Sequence, residues 1–79
     1  MKSDLFEVVF RDEQGEILVG YADTIAKADG LIRDREERLM IEDVRRGLVP
    51  TPKDDSDANT IFRARLLKQI CKYASRRAG

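Results

Sequence analysis

Cys71 is the only thiol in this 79-residue chain, and there is no histidine anywhere to activate it. A nucleophilic cysteine needs a neighbouring base or a strongly positive pocket to become a thiolate, and the spacing around Cys71 places it on the apolar side of a helix, as a small core residue. Without imidazole the usual proton shuttle near neutral pH is missing, and so are metal sites built on histidine. Asp55, Asp57 and Asn59 copy the opening of a calcium-binding loop, but that loop needs glycine at its sixth position and glutamate at its twelfth. Thr60 and Leu66 stand there instead, so the run reads as a solvated acidic linker. Gly15, Gly20, Gly30, Gly47 and Gly79 are scattered and form no phosphate cradle. The expectation is a non-enzymatic chain with no catalytic residue, metal or cofactor.

The charged side chains carry more information. All fifteen acidic residues lie at or before Asp57, where nine basic ones leave a charge of −6; from Ala58 onward six basic residues and no acid give +6. Such segregation steers a protein toward oppositely charged partners without setting its fold. Two candidate surfaces follow. Asp34, Glu36, Glu37, Glu42 and Asp43 form an acidic group expected to face solvent and to meet a basic groove on a partner. Arg65, Lys68, Lys72 and Arg76 form a basic ridge, within roughly 80° on a helical wheel, that suits phosphate contacts. In-helix ion pairs are the plainer reading of the acidic group, and a solvated helix face that of the ridge.

These side chains must be positioned by few elements, because 79 residues make one small domain with a modest core. Phe6, Val8 and Phe10 alternate with polar residues, Asp12 to Gly15 supply turn chemistry, and Ile17, Val19 and Tyr21 alternate again, which predicts a β-hairpin. A four-residue loop pairs Arg11 with Glu16, Phe10 with Ile17, Val8 with Val19 and Phe6 with Tyr21. The opposite face, with Leu5, Val9, Leu18, Gly20 and Ala22 beside Glu7, is half polar and is expected to be partly covered. Asp23 or Thr24 caps a helix from Ile25, whose stripe loses phase across residues 34–38, so that two helices or one bent helix follow. A third strand near residues 39–44 is the competing reading. Arg45, Arg46, Gly47 and Pro50 signal a stop. After the loop to Ala58, Asp57 or Asn59 caps a final helix to about Arg76, whose Phe62, Leu66 and Ile70 close over the hairpin. The fold class is α+β: an antiparallel hairpin packed against two to three helices in a single domain, residues 1–79.

The hairpin Phe6 to Tyr21, the acidic stretch Asp34 to Asp43 and the basic helix Arg63 to Arg77, in a short chain without histidine, resemble in type the small inhibitor proteins of phages and mobile elements, anti-CRISPR proteins included. That resemblance spans the whole chain and rests on no shared motif. It implies stoichiometric binding to a protein or ribonucleoprotein effector complex, with carboxylates standing in for phosphates so that a CRISPR effector is kept from its target DNA. A small nucleic-acid-binding accessory protein using the basic helix is the alternative, and a subunit that dimerises through the hairpin's second face a third. No apolar run approaches the ~20 residues that cross a bilayer, and the first residues lack the apolar stretch of a signal peptide. No membrane partner and a cytoplasmic location are expected.

Overall fold

The computed structural model describes residues 5–78. Three strands and two helices follow one another as β1 (Phe6–Asp12), β2 (Gly15–Ala22), α1 (Ile25–Arg45), α2 (Asp55–Gln69) and β3 (Tyr73–Arg77), with a single 3-10 turn, Ile70–Lys72, ahead of β3. The sheet is antiparallel with β1 in its middle, in the order β2-β1-β3. The class is therefore α+β, as expected.

Local chemistry explains the boundaries. Asp12 and Gly15 close a two-residue turn in which the Asp12 carboxylate accepts the Gln14 N–H at 2.8 Å, and Gly15 takes φ 129°, a region that disfavours a side chain. Thr24 caps α1 by accepting the Lys27 N–H at 3.1 Å. The far end of α1 is a Schellman motif: Gly47 takes φ 76°, its N–H reaches the Val44 carbonyl at 3.1 Å, and the Leu48 N–H reaches Asp43 at 2.8 Å. Asp54, rather than Asp57 or Asn59, caps α2 by accepting the Asp57 N–H at 2.8 Å. The Asp57 carboxylate in turn accepts the Lys53 N–H at 2.9 Å. Of the residues that imitate a calcium loop, Asp57 is thus engaged in starting the helix.

Residues 39–44 are helical and the competing strand is not formed, and of two helices or one the chain builds one: α1 runs unbroken through the phase loss at residues 34–38. One expectation is corrected here. The third strand lies instead at Tyr73–Arg77, so the last helix stops at Gln69 and not near Arg76. The cause is tertiary. Val8, Val9 and Phe10 are consecutive and all buried, the run of a strand covered on both faces, and β3 pairs along the edge of β1 that β2 leaves open.

The hairpin register holds for Arg11 with Glu16 and Phe10 with Ile17, then shifts at a bulge between Val8 and Val9, so that Val8 faces Gly20 and Phe6 faces Ala22. Val19 becomes the extra residue. Tyr21 thereby moves opposite Glu7, and Tyr21 and Ile17 remain 54% and 50% exposed instead of entering the core. The core is Val8, Ala22, Ala28 and Ile32, with Phe6, Val19, Leu31, Leu66 and Tyr73 packed around it. Gly20 lets α1 sit close on β2, since a Cβ there would meet the Leu31 side chain at 3.1 Å. Phe62 is only half-buried, Ile70 is exposed, and no residue of α2 is fully buried. The molecule is elongated, 49 × 27 × 18 Å.

Val9 faces away from α1 yet is wholly buried. Val9 lies between Leu18 of β2 and Ala74 of β3, and on this sheet the Arg76 guanidinium bridges Glu7 at 2.8 Å and Glu16 at 2.7 Å. Arg11 holds the other Glu16 oxygen at 2.9 Å. Hydrogen bonds from Arg11 and then Arg76 keep the Glu16 carboxyl below its ordinary range.

Candidate partner-binding surface

Glu36 is the most consequential side chain of the proposed acidic surface, and it does not face solvent. It is 1% exposed, because its position continues the buried series Ala28, Ile32 and Met40 along α1. A carboxylate there must be paired and hydrogen-bonded. Arg65 of α2 donates from Nε to its Oε1 at 2.9 Å, the Tyr73 hydroxyl of β3 donates to its Oε2, and the Arg35 guanidinium lies 3.5 Å from that same oxygen. Arg65 also reaches Asp43 at 2.7 Å. Arg35 donates to the Tyr73 oxygen at 2.8 Å and stacks over the Phe10 ring, 4.3 Å from its centroid. Phe10 and Tyr73 meet edge to face at 5.1 Å. Two carboxylates and two guanidiniums thus balance in a cluster that ties α1 to α2, β1 and β3.

The environment is written into the titration of Tyr73. Burial first, then the hydrogen bond to the Glu36 carboxylate, pushes its phenol from 10.0 up to about 12. The fold favours the neutral phenol, so this contribution to stability is complete below pH 10.0 and lost as pH rises to about 12. In the folded protein a phenolate absorbance step near pH 12 is expected, absent from Tyr73→Phe. A wild-type titration that finishes near pH 10.0 would refute the burial of this hydroxyl.

The remaining candidates separate. Asp34 and Glu37 are exposed and without an ion pair among the described residues. Glu42 is half-buried and is held by Arg46 at 3.3 Å and Arg45 at 3.8 Å. Asp43 is half-buried against Arg65. The expectation that Glu36, Glu42 and Asp43 face solvent freely is therefore corrected. The basic ridge is dispersed as well. Arg65 is half-buried in the cluster, where desolvation is outweighed by the Asp43 and Glu36 hydrogen bonds, so its pKa rises. Lys68 stays exposed on α2, Lys72 lies in the 3-10 turn, and Arg76 is on the outer face of the sheet. Cys71 is exposed rather than in the core, since the helix that would have buried it ends two residues earlier.

What the charge pattern did not disclose is a groove. Between α1 and α2 an open cleft of about 550 Å³ is floored by Met40, Ile41, Val44 and Phe62 and rimmed by Arg33, Glu37 and Arg63. No family, characterised protein or solved structure matches this chain. The groove's signal in sequence was Ile41, an apolar residue outside the buried stripe of α1 and 52% exposed. Among the described residues, no group of three or more potential metal ligands is assembled and no helix is long and apolar enough to cross a membrane.

Proposed function

We propose that this chain is a non-enzymatic protein-binding module that acts stoichiometrically by occupying a surface of a nucleic-acid-handling protein or ribonucleoprotein complex. The reading rests on the α1–α2 groove, an apolar floor with a mixed charged rim, whose Glu37 and Arg63 have no ion pair among the described residues. A cleft of this kind suits a partner's apolar side chains flanked by charges of both signs. Carboxylate mimicry of phosphates is the weaker mechanism, because Glu36, Glu42 and Asp43 already have partners within the chain. The narrower form of the proposal is an inhibitor of the anti-CRISPR type that keeps a CRISPR effector from target DNA.

The test is recovery of the partner complex after nuclease treatment by wild type and by a variant carrying Val44→Asp and Arg63→Glu. Loss of about tenfold or more in recovery by the variant is expected, from burying a new charge against an apolar anchor. Equal recovery would overturn the groove as the binding surface. The alternative, direct nucleic-acid binding, draws on Lys68, Lys72 and Arg77, exposed cations with no ion pair among the described residues. It is tested separately: a duplex gel shift at physiological salt that disappears on reversing those three charges would establish it.

A further inference from the structure

We propose that a second copy of this chain docks along the open edge of β2 and the adjoining flank of α1. The two β2 strands then pair antiparallel about a two-fold axis, and one sheet runs through both copies. This surface shares Glu37 and Ile41 with the α1–α2 groove, but self-association is read separately from partner recovery, so the failure of either proposal is distinguishable from that of the other.

Three observations converge on it. The first is the edge itself. Among the described residues β2 hydrogen-bonds only to β1, and a strand edge of this kind is a template for another strand. Protein edges are ordinarily guarded by charge, lysine or proline. Over Gly15–Ala22 the only charged residue is Glu16, already held by Arg11 and Arg76, whereas Ile17, Leu18 and Tyr21 are 50%, 48% and 54% exposed. The bulge at Val19 guards the middle of the edge but leaves Gly15 to Leu18 in regular register. The other edge of the sheet is different: β3 carries Arg76 and Arg77 within five residues, and like charges resist its pairing with itself.

The second observation is charge. Beside β2, a depression of about 310 Å³ is lined by Val19, Leu31, Asp34, Glu37, Arg38 and Ile41. Asp34 and Arg38 stand one helical turn apart, a spacing that permits an ion pair. They form none: Arg38 instead directs Nε to the Asp34 backbone carbonyl at 3.5 Å. In a two-fold contact, residue i meets j and j meets i. Asp34 of one copy facing Arg38 of the other would therefore satisfy four charges with one symmetric arrangement, around the exposed Ile41.

The third is area. The chain exposes 6215 Å², whereas a compact protein of 9.0 kDa exposes roughly 4,900 Å². The excess, about 1,300 Å², exceeds the ~800 Å² that each partner contributes to a standard interface. Its radius of gyration, 14.4 Å, likewise exceeds the roughly 12 Å of a compact chain of this length.

Sedimentation velocity up to about 0.1 mM protein tests the assembly, since a standard-size interface should be populated there. The expected species has twice the 9.0 kDa chain mass. Arg38→Asp should weaken the dimer by about tenfold or more, by placing like charges against Asp34 of the second copy. Adding Asp34→Arg to that variant should restore it. Both side chains are exposed, and circular dichroism verifies that the fold is kept. A wild type that stays monomeric overturns the proposal, as does a dimer indifferent to Arg38→Asp or a double variant no tighter than the single one.

Discussion

Arg65→Met is expected to destabilise the chain by about 3 to 5 kcal/mol, because removing one partner of a buried pair leaves the other charge uncompensated. Glu36, 1% exposed, loses its 2.9 Å contact, and Asp43 loses its 2.7 Å contact in the same substitution. A domain of this length holds only roughly 4 to 12 kcal/mol in all, so the variant should be partly unfolded under mild conditions. Removing both charges, with Glu36→Leu and Arg65→Met together, is expected to recover most of that loss, since apolar residues of similar size commonly replace buried pairs without penalty. Urea unfolding followed by circular dichroism gives both numbers. An Arg65→Met midpoint within error of wild type would show that the cluster is not holding the helices together.

Phe10→Ala should cost about 3 to 5 kcal/mol as well, through the cavity it leaves in the middle strand. The ring is 8% exposed, covered by the Arg35 guanidinium and met edge-on by Tyr73. Phe62→Ala should cost less than ~2 kcal/mol, because that ring is half-buried at the groove and its removal opens onto solvent. The sequence alone places Phe62 in the core, closed over the hairpin, so comparing the two denaturation curves distinguishes the observed packing from the expected one. Comparable losses would mean that α2 closes over the sheet more fully than the structure has it.

The hairpin was legible because its turn chemistry and alternation are local: Arg11 with Glu16 and Phe10 with Ile17 follow from five or six residues on each side of Gly15. The bulge was not, since nothing near Val19 announces that Gly20 must lie under Leu31. β3 was hidden for another reason. Tyr73 and Ala74 continue the apolar period of α2 and Arg76 its basic ridge, and the contacts that turn residues 73–77 into a strand, with Phe10 and Glu36, come from distant sequence, where local propensity yields to tertiary pairing. A clue was present in Val8, Val9 and Phe10, a run that fits a strand covered on both faces. Another lay in Glu36, which falls on the same helical stripe as Ala28, Ile32 and Met40 and so announced a buried carboxylate. The acidic and basic surfaces were misjudged because sequence counts charges without showing that Glu36, Asp43 and Arg65 neutralise each other. The depression at Asp34 and Arg38 is equally invisible, being made by neighbours that charge counting ignores.

The central position of β1 also has a bearing on how the polypeptide acquires its shape during synthesis. Its second neighbour is brought by residues as far away as Arg76, which is 69 positions from Glu7. At the ~5 to 20 residues per second of translation, the stretch Phe6 to Phe10 waits several seconds on the ribosome with one side bare. During that interval the nascent hairpin is a sticky ribbon, available to chaperones and to neighbouring nascent chains. Closure by Tyr73 to Arg77 ends this exposure in a single late step, so the yield of folded molecules depends on the fate of the first strand before the last one is made.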